Sequence, residues 1–179
     1  MTVDDLLNWR DDDGYRYELV EGMLIRMAGT RPQAGRVTRR LQLPLTLYVQ
    51  AHNLGTVTLP DEVYDFAPTG QPNTGLLPDL GFYHAFRESS VVPNQPYPFA
   101  PDLAVEVVGS SQKHDALAVK AQRYLAAGTA LVWVVWPEER AVDVWHAGDV
   151  QPTTLSMSAS LDGEGVVTGF TFGVADLFA

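Results

Sequence analysis

The sequence predicts an α/β fold, and three observations carry that expectation. Leu103-Ala104-Val105-Glu106-Val107-Val108 and Leu131-Val132-Trp133-Val134-Val135-Trp136 are short, almost wholly apolar runs, as expected of strands covered on both faces. Between them, the stretch from Asp115 to Ala127 has helical periodicity and is closed by Gly128. A strand–helix–strand unit with buried strands implies a right-handed crossover.

The remaining elements follow in chain order. Thr2 and Asp5 have the spacing of a capping box, which predicts a short helix over about residues 3–10. Tyr15–Val20 and Met23–Met27 are predicted strands, and the Glu21-Gly22 pair between them predicts a tight N-terminal hairpin. From Pro32 to about His52 the pattern is helical, with Pro44 expected to kink or break it. Strands are expected at Gly55–Leu59, Glu62–Phe66 and Leu77–His84, with a loop over Ala67–Asn73. Val92–Pro101 carries four prolines and is expected to be irregular. Ala141–His146 should pair with the Leu131 strand across Pro137–Arg140. The last thirty residues suggest a peripheral hairpin ending in Phe170–Phe178.

Composition bounds the class. With 179 residues, 46% of them hydrophobic, the chain fits one domain (1–179) with a sizeable core and no need of staples. It has no cysteine, which excludes disulfides and thiolate metal sites. Met1-Thr2-Val3-Asp4-Asp5 has neither the basic nor the apolar region of a secretory signal, and no apolar run reaches the roughly 20 residues that span a bilayer. The expectation is a soluble, cytoplasmic protein without a membrane partner. Net charge is −10, so the overall field does not steer the chain towards nucleic acid. Local clustering opposes this: Arg26, Arg31, Arg36, Arg39 and Arg40 place five of the twelve basic residues within fifteen positions. Of these, Arg31, Arg36, Arg39 and Arg40 are candidate nucleic-acid contacts.

Three residues break their local pattern. Glu106 is a carboxylate inside an apolar strand, where an unpaired charge costs several kcal/mol. Strand parity places it on one face with Asp102, Ala104 and Val108, opposite Leu103, Val105 and Val107. It is either half of a buried ion pair with an arginine or a metal ligand. Lys120 shares the core-facing stripe of the following helix with Leu117, Ala121 and Tyr124. Alone, such a lysine snorkels to water. Packed against the Glu106 strand, it and the carboxylate explain each other. Asp79, in Leu77-Pro78-Asp79-Leu80, is a turn residue by type but has strand-like neighbours. Two carboxylates and a lysine suit phosphodiester hydrolysis, with hard oxygen ligands for Mg²⁺ and a cation for the developing charge. Glu18 and Glu21 flank the first hairpin; either could be a solvated residue, and Glu21 is assigned to the turn.

Pro78-Asp79, Pro101-Asp102-Leu103-Ala104-Val105-Glu106-Val107-Val108, Lys120-x3-Tyr124-x2-Ala127-Gly128 and Val132-Trp133-Val134-Val135-Trp136-Pro137, in this order, resemble the Uma-type restriction endonuclease family of the PD-(D/E)XK nuclease superfamily. Tyr17-Glu18-Leu19-Val20-Glu21-Gly22 and Gly169-Phe170 extend the resemblance over nearly the whole chain. It implies a restriction-endonuclease-like fold, a central mixed sheet flanked by helices. It also implies a metal-dependent endonuclease acting on DNA, with Mg²⁺ (or Mn²⁺) held by Asp79 and Glu106 and with Glu18 as a supporting acid. The superfamily lysine stands two residues after the glutamate, where this chain has Val108. The family takes a lysine from the next helix, and Lys120 matches that place, to assist the nucleophile or stabilise the transition state.

Gly109-Ser110-Ser111 replaces the family's Ser-Pro-Ser, Trp136 replaces an Asp, and no histidine lies within Arg31–Arg40. With the −10 charge, these departures motivate an alternative, a catalytically degenerate nuclease-fold protein used for binding or assembly. A glycosidase built on Asp79 and Glu106 ranks last, because it gives the inward lysine no necessary role. A homodimer or higher homo-oligomer is expected on general grounds. Trp133, Trp136 and Trp145 serve either that interface or core packing.

Overall fold

The computed structural model describes residues 1–9, 15–27, 31–109 and 112–179. Helix α1 (Val3–Asn8) opens on the predicted capping box: Asp5 N–H donates to Thr2 Oγ1 at 3.2 Å, and Thr2 N–H to Asp5 Oδ2 at 2.8 Å. Arg10, the expected last residue of this helix, lies outside the described residues, as do Ser110 and Ser111. Strands β1 (Arg16–Val20) and β2 (Met23–Met27) form the expected hairpin. Glu21 and Gly22 both take left-handed φ, 51° and 81°, matching the two-residue turns that follow the twist of the flanking strands.

Helix α2 (Pro32–Ala51) runs through Pro44 without a break, contrary to one of the two expected outcomes. Proline there costs about 3 kcal/mol. Leu41, Leu45 and Val49 on the same helix are essentially inaccessible, and each contributes roughly 1.5–3 kcal/mol by burial, which outweighs that cost.

Strands β3 (Gly55–Thr58), β4 (Tyr64–Asp65), β5 (Gly75–Leu76) and β6 (Leu80–His84) follow. The expected strands at Glu62–Phe66 and Leu77–His84 are shorter than predicted, for two local reasons. Asp65 N–H and Tyr97 N–H bond to Tyr97 O and Val63 O, which ties the proline-rich segment to β4 by a bridge. Pro78 has no N–H for a ladder, and the strand begins only after it. Then come β7 (Leu103–Val107), α3 (His114–Ala126), β8 (Leu131–Trp136), β9 (Ala141–His146), β10 (Thr153–Leu155), β11 (Ser160–Asp162), β12 (Thr171–Gly173) and α4 (Val174–Leu177).

The main sheet has six strands in the order β10-β9-β8-β7-β6-β3. It is mixed: β7 and β8 are parallel, joined through α3, and the other pairs are antiparallel. A four-stranded sheet, β2-β1-β5-β4, and the β11–β12 pair complete the architecture. Parity along β7 separates two cores. Leu103, Val105 and Val107 pack with α2, while Ala104 and Val108 pack with α3 and with Leu76 of the smaller sheet. Helix α3 therefore contacts both sheets. The C-terminal strands stand apart from the main sheet, yet Leu161, Val167, Phe170, Val174 and Leu177 complete the α2-side core. Trp133, Trp136 and Trp145 are all buried, so of their two expected roles it is core packing that they fill.

Candidate active site

Each site residue is delivered by its own element. In β6, Leu80 lies opposite Val105, so Asp79, just before it, arrives beside the end of β7. There Val107 N–H donates to Asp79 Oδ2 at 2.7 Å. Glu106 projects from β7 to the α3 side, 4% exposed. Its Oε1 accepts from the Tyr124 hydroxyl at 2.8 Å and its Oε2 from Lys120 Nζ at 2.9 Å. Lys120 also reaches Glu18 Oε1 at 2.8 Å, an oxygen that accepts a further bond from Leu77 N–H at 2.9 Å. The ammonium thus joins a glutamate of the small sheet to a glutamate of the main one.

The sequence-predicted Asp79, Glu106, Lys120 and Glu18 therefore meet in one place. Glu21 does not: it lies in the exposed turn, 3.4 Å from Arg123. Arg31 caps α2, and Arg36, Arg39 and Arg40 lie on its exposed side, across the sheet from α3 and away from the carboxylates. Tyr124 is the participant that sequence reasoning placed on the inward stripe without giving it a role in the site. Asp102, on the same strand face as Glu106, is instead neutralised by Arg87 at 3.0 Å and accepts His84 N–H at 2.8 Å.

One lysine faces three carboxylates, so the fully ionised cluster stays negative. Burial pushes Glu106 up; Lys120 pulls it down, and Asp79 and Glu18 push it up again, to about 7. Burial also raises Asp79, against the Val107 N–H bond and the charges of Lys120 and Arg16, with Glu18 adding to the rise. Burial acts to lower the lysine, but the charges of Glu106 and Glu18 outweigh it, and its pKa rises above the ordinary value. Lys120 is therefore a held cation rather than a proton acceptor at neutral pH.

The donor set fits a hard divalent cation. The excess carboxylate charge calls for one, and Asp79 Oδ1 and Glu18 Oε2 have no hydrogen-bond partner among the described residues. Among those residues no three His, Cys, Asp or Glu side chains are arranged to hold an ion. Mg²⁺ in general keeps several waters and takes one or two carboxylates plus substrate oxygens. A groove of about 600 Å³ reaches Glu18 and Lys120, with Gln112, Met23, Ile25 and Val119 also on its walls, but neither Asp79 nor Glu106 lines it.

Tyr124→Phe isolates one of these contacts. It leaves Glu106 Oε1 buried without its donor, and a loss of about 1–3 kcal/mol is expected in urea unfolding. An unchanged midpoint would show that the hydroxyl contributes nothing.

A mixed sheet with an acidic residue on one central strand, another just before the adjacent strand and a lysine from the crossover helix defines a protein of restriction-endonuclease-like fold. The chain belongs to the Uma2 family, described as "Putative restriction endonuclease", whose family model matches residues 3–175. It is also similar to the crystal structure of a putative nuclease of DUF820 from Anabaena variabilis, with a TM-score of 0.83 and 17% identity over 99% of this chain and 97% of that one. No curated protein matches it. No helix among the described residues is long and apolar enough to cross a membrane.

Proposed function

We propose that this protein is a metal-dependent endonuclease that hydrolyses DNA phosphodiester bonds. The observation that carries this reading is the meeting of Asp79, Glu106 and Lys120, from β6, β7 and α3, in a member of this family. Asp79 and Glu106 would hold Mg²⁺ or Mn²⁺, with Glu18 behind them. When bound, the ion supplies Lewis-acid activation of water and neutralises charge on the scissile phosphate. Water adds to phosphorus, the bond to the leaving sugar oxygen breaks, and the departing oxygen takes up a proton. Lys120, held as an ammonium, offers positive charge to the phosphoryl oxygens as negative charge builds on them. Tyr124 and Leu77 N–H act through the glutamates they bond, as positioning groups. The same reading takes the chain as one nuclease domain, cytoplasmic, and acting as a homodimer or larger homo-oligomer, since most oligomers are symmetric and a duplex presents two strands.

One observation favours a degenerate binding or assembly module instead: both oxygens of Glu106 are already engaged by the protein, in a chain of charge −10. Incubation with supercoiled and linear DNA separates the two. Cleavage that needs Mg²⁺ or Mn²⁺, stops with EDTA and is lost in Asp79→Ala supports the nuclease. A metal-loaded, folded protein that cuts DNA of no topology supports the module.

A further inference from the structure

The arginines of this acidic protein fall into two groups. Arg16, Arg87 and Arg123 pair with Asp61, Asp102 and Glu21. Among the described residues, Arg26, Arg31, Arg36, Arg39, Arg40 and Arg140 form no ion pair, and all six are exposed. Arg26 lies over the Tyr15 ring, 4.1 Å from its centroid, while the other five stand at the start of α2, along it, or in the β8–β9 turn.

Three of them line one hollow. Arg36 and Arg40 on α2 and Arg140 in the β8–β9 turn surround a cavity of about 330 Å³ with Gln33, Phe178 and Ala179, and among the described residues no Asp or Glu side chain lines it. Arg40 Nη1 donates to Leu177 O at 3.3 Å and Arg140 Nη2 to Phe178 O at 3.5 Å. These neutral carbonyls fix two guanidinium groups without cancelling their charge, and each keeps further N–H donors. Arg36 has no hydrogen-bond or ion-pair partner among the described residues. A concave surface with three guanidinium groups, lined also by Ala179, is suited to an anion with several acceptor oxygens, and phosphate matches guanidinium in geometry.

Position gives the source of the phosphate. The hollow includes Pro137, directly after the carboxyl end of β8, and Glu106 lies near the carboxyl end of the adjacent, parallel β7. A smaller hollow between them shares Pro137 with the arginine cavity and Gln112 with the groove at Lys120. It carries Glu138 and Glu139, of which Glu139 is taken up by His114 at 2.7 Å, so it offers phosphate no attraction. The arginine cavity is thus a second contact, beyond an acidic gap, at the same end of the sheet as the candidate active site. We propose that Arg36, Arg40 and Arg140 form a phosphate clamp for the nucleic-acid backbone, gripping a strand outside the groove where hydrolysis is proposed. The choice of nucleic acid rests on the nuclease reading; the anion site does not.

The test is fluorescence anisotropy of a labelled DNA duplex with the full chain in EDTA, across a salt series. The proteins are wild type, Arg36→Ala and the triple Arg36→Ala/Arg40→Ala/Arg140→Ala. The single variant guards against loosening of the C-terminal segment in the triple one. Each lost phosphate contact removes about 0.9 from the slope of log affinity against log salt, so the triple variant should flatten it by roughly 2–3, with at least a ~10-fold weaker Kd at low salt. Arg36→Ala should flatten the slope by about 0.9. Equal slopes and affinities overturn the clamp, as does wild type that binds no duplex. Inorganic pyrophosphate bound in an arginine-dependent way by a protein that ignores the duplex also overturns it, in favour of a small phosphate ligand. Arginine-dependent binding without cleavage keeps the clamp and rejects the nuclease; cleavage with unchanged slopes does the reverse.

Discussion

Lys120→Ala is expected to destabilise the protein by about 3–5 kcal/mol at pH 8, because it strands two buried glutamates that share one ammonium. Burial of a charge without its partner is among the most costly single changes available to a fold. The loss depends on pH in a defined direction. Without the lysine, Glu106 holds its proton more tightly in the folded protein than in the unfolded chain, because burial raises it and its cation is gone. In the pH range between those two affinities the folded state binds more protons, so stability rises as pH falls. The variant should therefore recover much of its deficit at pH 5. The wild type shows the same sign on a smaller scale. Glu106 is raised to about 7 from an ordinary 4.5, so its contribution is lost as pH rises through that window. Urea unfolding of both proteins at pH 5 and pH 8 reads this directly. A deficit of equal size at both values would assign Lys120 a packing role rather than an electrostatic one. Any DNA cleavage should fall by ~10²-fold or more with the ammonium gone.

Trp133→Ala is expected to cost about 3–5 kcal/mol, in keeping with loss of the largest fully buried side chain in the core. Trp133 lies in the middle of β8, against Phe170 with ring centroids 6.4 Å apart, so the void would open between the sheet and the C-terminal segment. Its indole N–H has no partner among the described residues. Trp133→Phe keeps most of the ring and removes that unsatisfied donor, so it should cost less than about 1.5 kcal/mol. Thermal or urea unfolding of the two variants distinguishes the effects. Similar losses in both would mean that the indole nitrogen has a partner, such as a bound water.

The parts of the site legible in the sequence were those that violate a local pattern. Glu106 stood out in an apolar strand, and Lys120 on an apolar stripe, because burial makes a charge costly wherever it falls. Asp79 was weaker by pattern and was reached through its place after Pro78 in the family resemblance. The bond from Glu18 to Lys120 was not legible, because it depends on how the small sheet packs on α3, and residues 18 and 120 are remote in the chain. Tyr124 was visible as a core residue, but nothing in a helical stripe says which oxygen its hydroxyl meets. Arg140 was missed for a similar reason: its neighbours in space come from α2 and the C-terminal segment. At Pro44 only the expected break fails, because the burial of Leu41, Leu45 and Val49 carries the helix through.

Calorimetric titration of Mg²⁺ or Mn²⁺ into wild type and Glu106→Ala asks whether Asp79 and Glu106 form the proposed divalent-cation site. Wild type should bind, with proton release near pH 7 that makes the heat depend on the buffer, because the ion favours the ionised form of Glu106. Glu106→Ala, with Lys120 still paired to Glu18, should stay folded and lose the binding. Binding retained in the variant, or absent from both proteins, would contradict the proposed site.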